Sequence, residues 1–152
     1  MNIAVTAARS ETTLKVERLI AAPPDRVFAY WTEPKLMAKW LAPGDMTVLD
    51  NAIDLRVGGP WQVVMRHPDH RTTTVNGTYL AIEPPRRLVF TWCSNDLGCD
   101  PVVDTEVEIL LTEVPGGTRL VLIHTKFDTV EQRDRHAMGW GMGLDKLERM
   151  AQ

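Results

Sequence analysis

The sequence holds little of what usually announces chemistry. Its two cysteines, Cys93 and Cys99, are too few for a disulfide framework or a four-thiolate zinc site, and they read as reduced thiols of a cytoplasmic protein. No apolar run approaches the roughly 18 residues of a membrane span. Residues 1–13 lack the basic stretch and the sustained apolar stretch of a signal peptide, so they read as a flexible arm. Seventeen Lys and Arg stand against 20 Asp and Glu, a net charge of −3. With no basic block to neutralise a phosphate backbone, nucleic acid is not expected as a partner. Also missing are a Gly-x-Ser-x-Gly nucleophile motif, a phosphate-binding glycine loop and a dinucleotide fingerprint. No cofactor and no catalytic residue is identified, and an enzymatic role would rest on a cavity alone.

What is present is an ordinary globular composition. Of 152 residues, 44% are apolar and 24% charged, enough for one core and a single domain over residues 14–152. Leu14–Ile20 alternates and ends at Ala-Ala-Pro-Pro, which predicts a first strand. Pro24 opens a short helix with Val27, Phe28 and Trp31 on one face, and Thr32 ends it. A second helix is predicted from about Glu33 to Leu41. Strands follow at Thr47–Asp50, Ile53–Val57, Pro60–Arg66, Thr72–Ile82, Leu88–Cys93, Thr105–Thr112 and Thr118–Lys126, separated by Gly, Pro and Asp turns. Short connections between consecutive strands mean an antiparallel sheet, since parallel pairs need long crossovers. A long helix from Val130 to Met150 closes the chain, capped by Thr129 with Gln132 or by Asp128 with Glu131. Its apolar arc carries Ala137, Trp140, Leu144, Leu147 and Ala151. The fold class is therefore α+β.

Several strings in this order resemble the START-like, or helix-grip, superfamily and, within it, the family related to activators of the heat-shock-protein-90 ATPase. They are Ala22-Pro-Pro-Asp-Arg-Val-Phe28, Trp31-Thr-Glu-Pro34, Trp40-Leu-Ala-Pro43, Asp54-Leu-Arg-Val-Gly-Gly-Pro-Trp61, Pro84-Pro-Arg-Arg-Leu88, Gly117-Thr-Arg-Leu120 and Gly139-Trp140. The resemblance implies a curved antiparallel sheet wrapped around the C-terminal helix, with a cavity for a hydrophobic small molecule between them. It also implies two other roles: a cyclase or hydrolase acting on a polyketide-like substrate in that cavity, or a chaperone-activator-like interaction module of the stress response. At the Pro68-Asp69-His70 hairpin tip the sequence departs from the glycine usual in the family.

The expected ligand-binding residues are Trp61, Met65, Tyr79, Phe90, Trp92, His124, Arg133, His136 and Trp140. The aromatic residues and Met65 are wall candidates by alternation and resemblance. His124 shares a strand face with Leu120 and Leu122, and His136 flanks the apolar arc; each reads either as a cavity group or as a satisfied core histidine. Arg133 sits inside the arc, where it either anchors a polar ligand group or pairs with a carboxylate. His67, Asp69 and His70 have metal-ligand chemistry but crowd one turn without a completing motif, so no metal is expected. Arg56 reads as half of a structural ion pair. Gly139, Gly141 and Gly143 weaken the middle of the long helix by about 1 kcal/mol each relative to Ala. Either the helix comes close to a neighbour there, or side-chain volume is withheld. Met138 and Met142, four residues apart among charges on the outer face, read as a homodimer contact or as a pair covered by the arm or a loop.

Overall fold

The computed structural model describes residues 12–95, 99 and 101–152. The arm expected over residues 1–13 lies almost entirely outside them. Seven strands, β1 (Leu14–Ile20), β2 (Thr47–Ile53), β3 (Pro60–Arg66), β4 (Thr72–Glu83), β5 (Arg87–Ser94), β6 (Val102–Val114) and β7 (Gly117–Thr125), form one sheet in the order β1-β7-β6-β5-β4-β3-β2. Helices α1 (Pro24–Thr32) and α2 (Pro34–Met37) follow β1, and α3 (Val130–Ala151) ends the chain. All six strand pairs are antiparallel. From β2 to β7 each strand turns back on the one before it, whereas β1 pairs with the last strand, Leu14 opposite His124. The sheet is curved and unclosed, with α3 packed against it: a helix-grip α+β fold.

Local chemistry explains the elements and two departures from expectation. The strand expected at Ile53–Val57 is a turn, and the chain from Thr47 to Ile53 is one strand. Beyond Ile53 the backbone folds on itself: Arg56 N–H donates to the Asp54 carbonyl and Gly59 N–H to that of Arg56. Gly58 adopts φ +84°, and a Cβ on Gly59 would fall 2.2 Å from the Asp54 oxygen, so the glycine pair dictates the turn. Arg56 pairs with Asp54 at 2.9 Å across it. The second helix is shorter than predicted. After Met37 the chain continues in turns that bring Trp40 into the core, its indole N–H donating to the Tyr30 carbonyl.

Helix α3 starts in the Thr129 register of the two expected. Thr129 Oγ1 accepts from Gln132 N–H, pairing one of the orphan donors at the N-terminus, while Gln132 Oε1 accepts from the N–H of Asp128 just before the cap. At its other end Tyr30 Oη donates to the Met150 carbonyl and Arg26 Nε to that of Ala151. Trp140, Leu144, Leu147 and Ala151 are buried as the arc predicted, and Ala137 is half-buried. In the N-terminal half the face is completed by Gln132 and His136, and past the middle by Gly143.

Candidate functional site

Strand alternation places Met65 and His67 of the β3 end, Thr73 and Val75 of β4, and Trp92 and Ser94 of β5 on the face toward α3. Register then joins them, Met65 opposite Thr73 and Val75 opposite Ser94. Above this floor pass Arg135, His136, Gly139 and Trp140, and the segment carrying Leu41, Pro43 and Met46 closes the remaining side. The space enclosed is about 330 Å³. Met138, Met142 and Cys99, all exposed, stand at its mouth. A volume of this order with a mostly apolar wall and a few polar groups is typical of a small-molecule pocket.

The polar groups have defined partners. His136 Nδ1 lies 2.8 Å from the Gln132 carbonyl, which can only accept, so that nitrogen carries the proton. His136 Nε2 is left as an acceptor, 3.3 Å from Ser94 Oγ. His67 Nε2 sits 2.8 Å from Thr73 Oγ1. Asp69 turns away to pair with Arg71 at 2.7 Å, which holds its carboxyl below the ordinary value, the backbone N–H of Arg71 contributing most. His67 and Asp69 of that hairpin tip therefore have separate partners.

Of the nine residues expected at a ligand site, Met65, Trp92, His136 and Trp140 line this cavity. Trp61, Tyr79 and Phe90 lie one layer deeper, packed ring against ring around a void of about 10 Å³ together with Trp31 and Met37. Leu41, Trp92 and Trp140 line both spaces. His124 lies on neither wall: it is fully buried, its Nδ1 accepts from Trp140 Nε1, and its Nε2 meets Thr105 Oγ1 at 2.8 Å. Arg133 is also off the cavity wall, its guanidinium 2.8 Å from the carboxylate of neighbouring Asp134. On that turn it is Arg135 that reaches the wall. Ser94, Thr73, His67 and the 41–46 segment were not anticipated. Thr73 and Ser94 share strand parity with Val75 and Trp92, a signal that was there to be used; the loop carries none.

The indole N–H groups of Trp31, Trp61 and Trp92 are buried without an acceptor among the described residues, a cost of about 1–3 kcal/mol per buried donor left unpaired.

The helix glycines separate into two cases. A Cβ on Gly143 would press on the Trp40 carbonyl at 3.3 Å, so the helix comes close to the chain there. A Cβ on Gly139 would meet only Pro43 Cγ, at 4.0 Å, so volume is withheld at the cavity. Gly139→Ala is expected to raise the unfolding free energy by about 1 kcal/mol through helix propensity, with Gly143→Ala at or below the parent. Urea denaturation of both checks this; a Gly143→Ala gain equal to that of Gly139→Ala would contradict the packing distinction. Met142 packs its sulfur over the Gly44 turn, so the outward methionine pair has a place at the rim within one chain.

No helix of the described residues is long and apolar enough to cross a membrane. The family model for Activator of Hsp90 ATPase homolog 1-like protein matches residues 21–152. Among solved structures, a protein of Nitrosomonas europaea is similar at 29% identity and a TM-score of 0.76, covering 92% of this chain and 94% of that one. A protein of Chromobacterium violaceum is similar at 26% identity and 0.81, covering 92% and 96%. The AHSA1 protein of Silicibacter pomeroyi is similar at 29% and 0.77, covering 90% and 95%. No curated protein matches the chain.

Proposed function

We propose, starting from the fact that this chain belongs to the Activator of Hsp90 ATPase homolog 1-like family, that it binds an apolar small molecule in the cavity between sheet and C-terminal helix. One observation carries the reading: about 330 Å³ of space is kept open beside a helix that places Gly139 among its lining residues, where a Cβ would meet only Pro43 Cγ at 4.0 Å. Leu, Val, Trp and Met side chains supply an apolar wall, and the two exposed methionines at the mouth can repack around a ligand. The free cysteines suit a reducing compartment such as the cytoplasm.

The test fills the space. N-phenylnaphthylamine, a fluorescent apolar probe, is expected to bind the parent protein. Gly139→Phe, whose side chain enters the cavity, should weaken it by at least about tenfold, roughly the contribution of burying one to two methylenes, without lowering the melting temperature. Unchanged probe binding in a folded Gly139→Phe protein, or none in the parent, would overturn the reading.

The Ser94–His136 contact favours a second reading, a hydrolase. Ser94 Oγ would attack an ester carbonyl as its proton passes to His136 Nε2; the alcohol would leave with that proton, and water would clear the acyl group. Turnover of p-nitrophenyl butyrate that disappears in Ser94→Ala would support it. No turnover above buffer would end it.

A further inference from the structure

Sulfur is concentrated around the cavity. The chain has seven methionines, and Met46, Met65, Met138 and Met142 all border that space. Their exposure is graded from floor to mouth. Met65 is 4% exposed and Met46 half-buried, while Met142 and Met138, four residues apart on α3, are 39% and 69% exposed. Met150, near the end of the same helix, is as open at 44% but lies away from the cavity wall. The entrance of the cavity therefore carries two thioethers that solvent reaches.

A thioether reacts without first losing a proton, so access decides which methionine sulfurs meet an oxidant. With hydrogen peroxide, the sulfur lone pair attacks one oxygen and an S–O bond forms as the O–O bond breaks. Sulfur gives up two electrons, and the second oxygen leaves with the proton of the first, as water. The sulfoxide that remains is polar where the thioether was apolar. The Met142 sulfur itself faces the Gly44 turn, 3.4 Å from where a Cβ on that glycine would stand, so it lies in the seam between α3 and the 41–46 segment. The wall on that side, Leu41, Pro43, Met46 and Gly139, holds no side-chain hydrogen-bond donor. An apolar ligand resting there would strip water from the sulfoxide oxygen and return no hydrogen bond.

We propose that Met138 and Met142 form a modification site through which peroxide weakens ligand binding: their oxidation to sulfoxide makes the mouth of the cavity polar, and reduction restores it. This rests on the binding reading above and adds how that site is regulated.

The experiment measures the affinity for N-phenylnaphthylamine before and after hydrogen peroxide in three proteins: the parent, the Met138→Leu/Met142→Leu double variant and Met150→Leu. Leucine keeps the apolar bulk and removes the sulfur. Dithiothreitol added after the peroxide returns sulfenic and disulfide forms of Cys93 and Cys99 to thiols and leaves sulfoxides in place. Peptide mass spectrometry should place sulfoxide on Met138 and Met142 and leave Met65 a thioether. Oxidised parent and oxidised Met150→Leu should bind about tenfold more weakly than before, the lower part of what an unpaired polar group costs in an apolar site. The double variant should bind equally before and after, and the two methionine sulfoxide reductases, one for each epimer, should restore the parent. Parent that carries both sulfoxides and binds as tightly as before overturns the switch while the binding reading stands. So does a loss of affinity shared by the double variant, or peroxide that leaves Met138 and Met142 unmodified. Reduced parent that does not bind the probe overturns the binding reading and the switch with it.

Discussion

Trp140→Ala is expected to lower the unfolding free energy by about 3–5 kcal/mol, the usual range for truncating a large buried aromatic. The residue is 4% exposed and lies at the centre of an aromatic cluster, its ring 4.9 Å from that of Trp92 and 5.8 Å from that of Trp31. Two effects combine. Removing the indole joins the small void to the cavity, so the space cannot close around a methyl group. It also removes the indole N–H that donates to His124 Nδ1, leaving a buried acceptor unpaired. Trp140→Phe separates these effects by keeping most of the ring volume and deleting the N–H; it should cost about 1–3 kcal/mol. Urea denaturation at neutral pH checks both variants. A Trp140→Ala protein as stable as the parent would show that the residue carries none of the core.

The elements legible from the sequence are those in which one local pattern decides. Leu14–Ile20 alternates between core and solvent over its whole length and is a strand at those bounds. Thr129 and Gln132 announce the start of the last helix three residues apart; Thr129 Oγ1 accepts from the Gln132 N–H, and the Gln132 side chain reaches back to the N–H of Asp128. Ile53–Val57 alternates as well, yet there the Gly58–Gly59 pair forces a turn that alternation does not reveal. The site was less legible because its walls are assembled by register and helix phase. His124 and His136 both sit on inward faces, and only the strand pairing and the path of α3 decide that one is sealed behind Trp140 while the other borders the cavity. Arg133 falls within the apolar arc of an ideal helix. At that end of the chain, however, the buried positions are Gln132 and His136, with Gln132 facing the Pro101 carbonyl. Thr73 and Ser94 are ordinary strand residues until the floor of a cavity gives them a neighbour.

Stability should fall as the pH drops below about 6.5, and His124 should be the cause. Thr105 Oγ1 donates its single proton to the Trp92 carbonyl, so it must accept from His124 Nε2–H. Trp140 Nε1–H donates to His124 Nδ1. Both ring nitrogens are thus used in the neutral form, and a second ring proton would point at the Trp140 N–H. The groups packed around the ring are Phe127, Trp92, Trp140 and His136, with no carboxylate among them. Burial, and next the charge that His136 can carry, hold His124 well below its ordinary value. Its folded-state value is depressed, so between that value and about 6.5 the unfolded chain binds a proton that the native protein refuses. Stability then declines with falling pH by up to about 1.4 kcal/mol per unit. The depressed carboxyls of Glu17 and Asp69 act at lower pH, below their ordinary values near 4. Urea denaturation across pH 5 to 7 measures the slope, and His124→Gln should flatten it even though that variant starts less stable. The native ring can be followed independently by NMR, where its Cε1 proton should show no titration near 6.5. A ring that titrates near 6.5, or parent stability that is level from pH 7 to pH 5, would defeat the assignment.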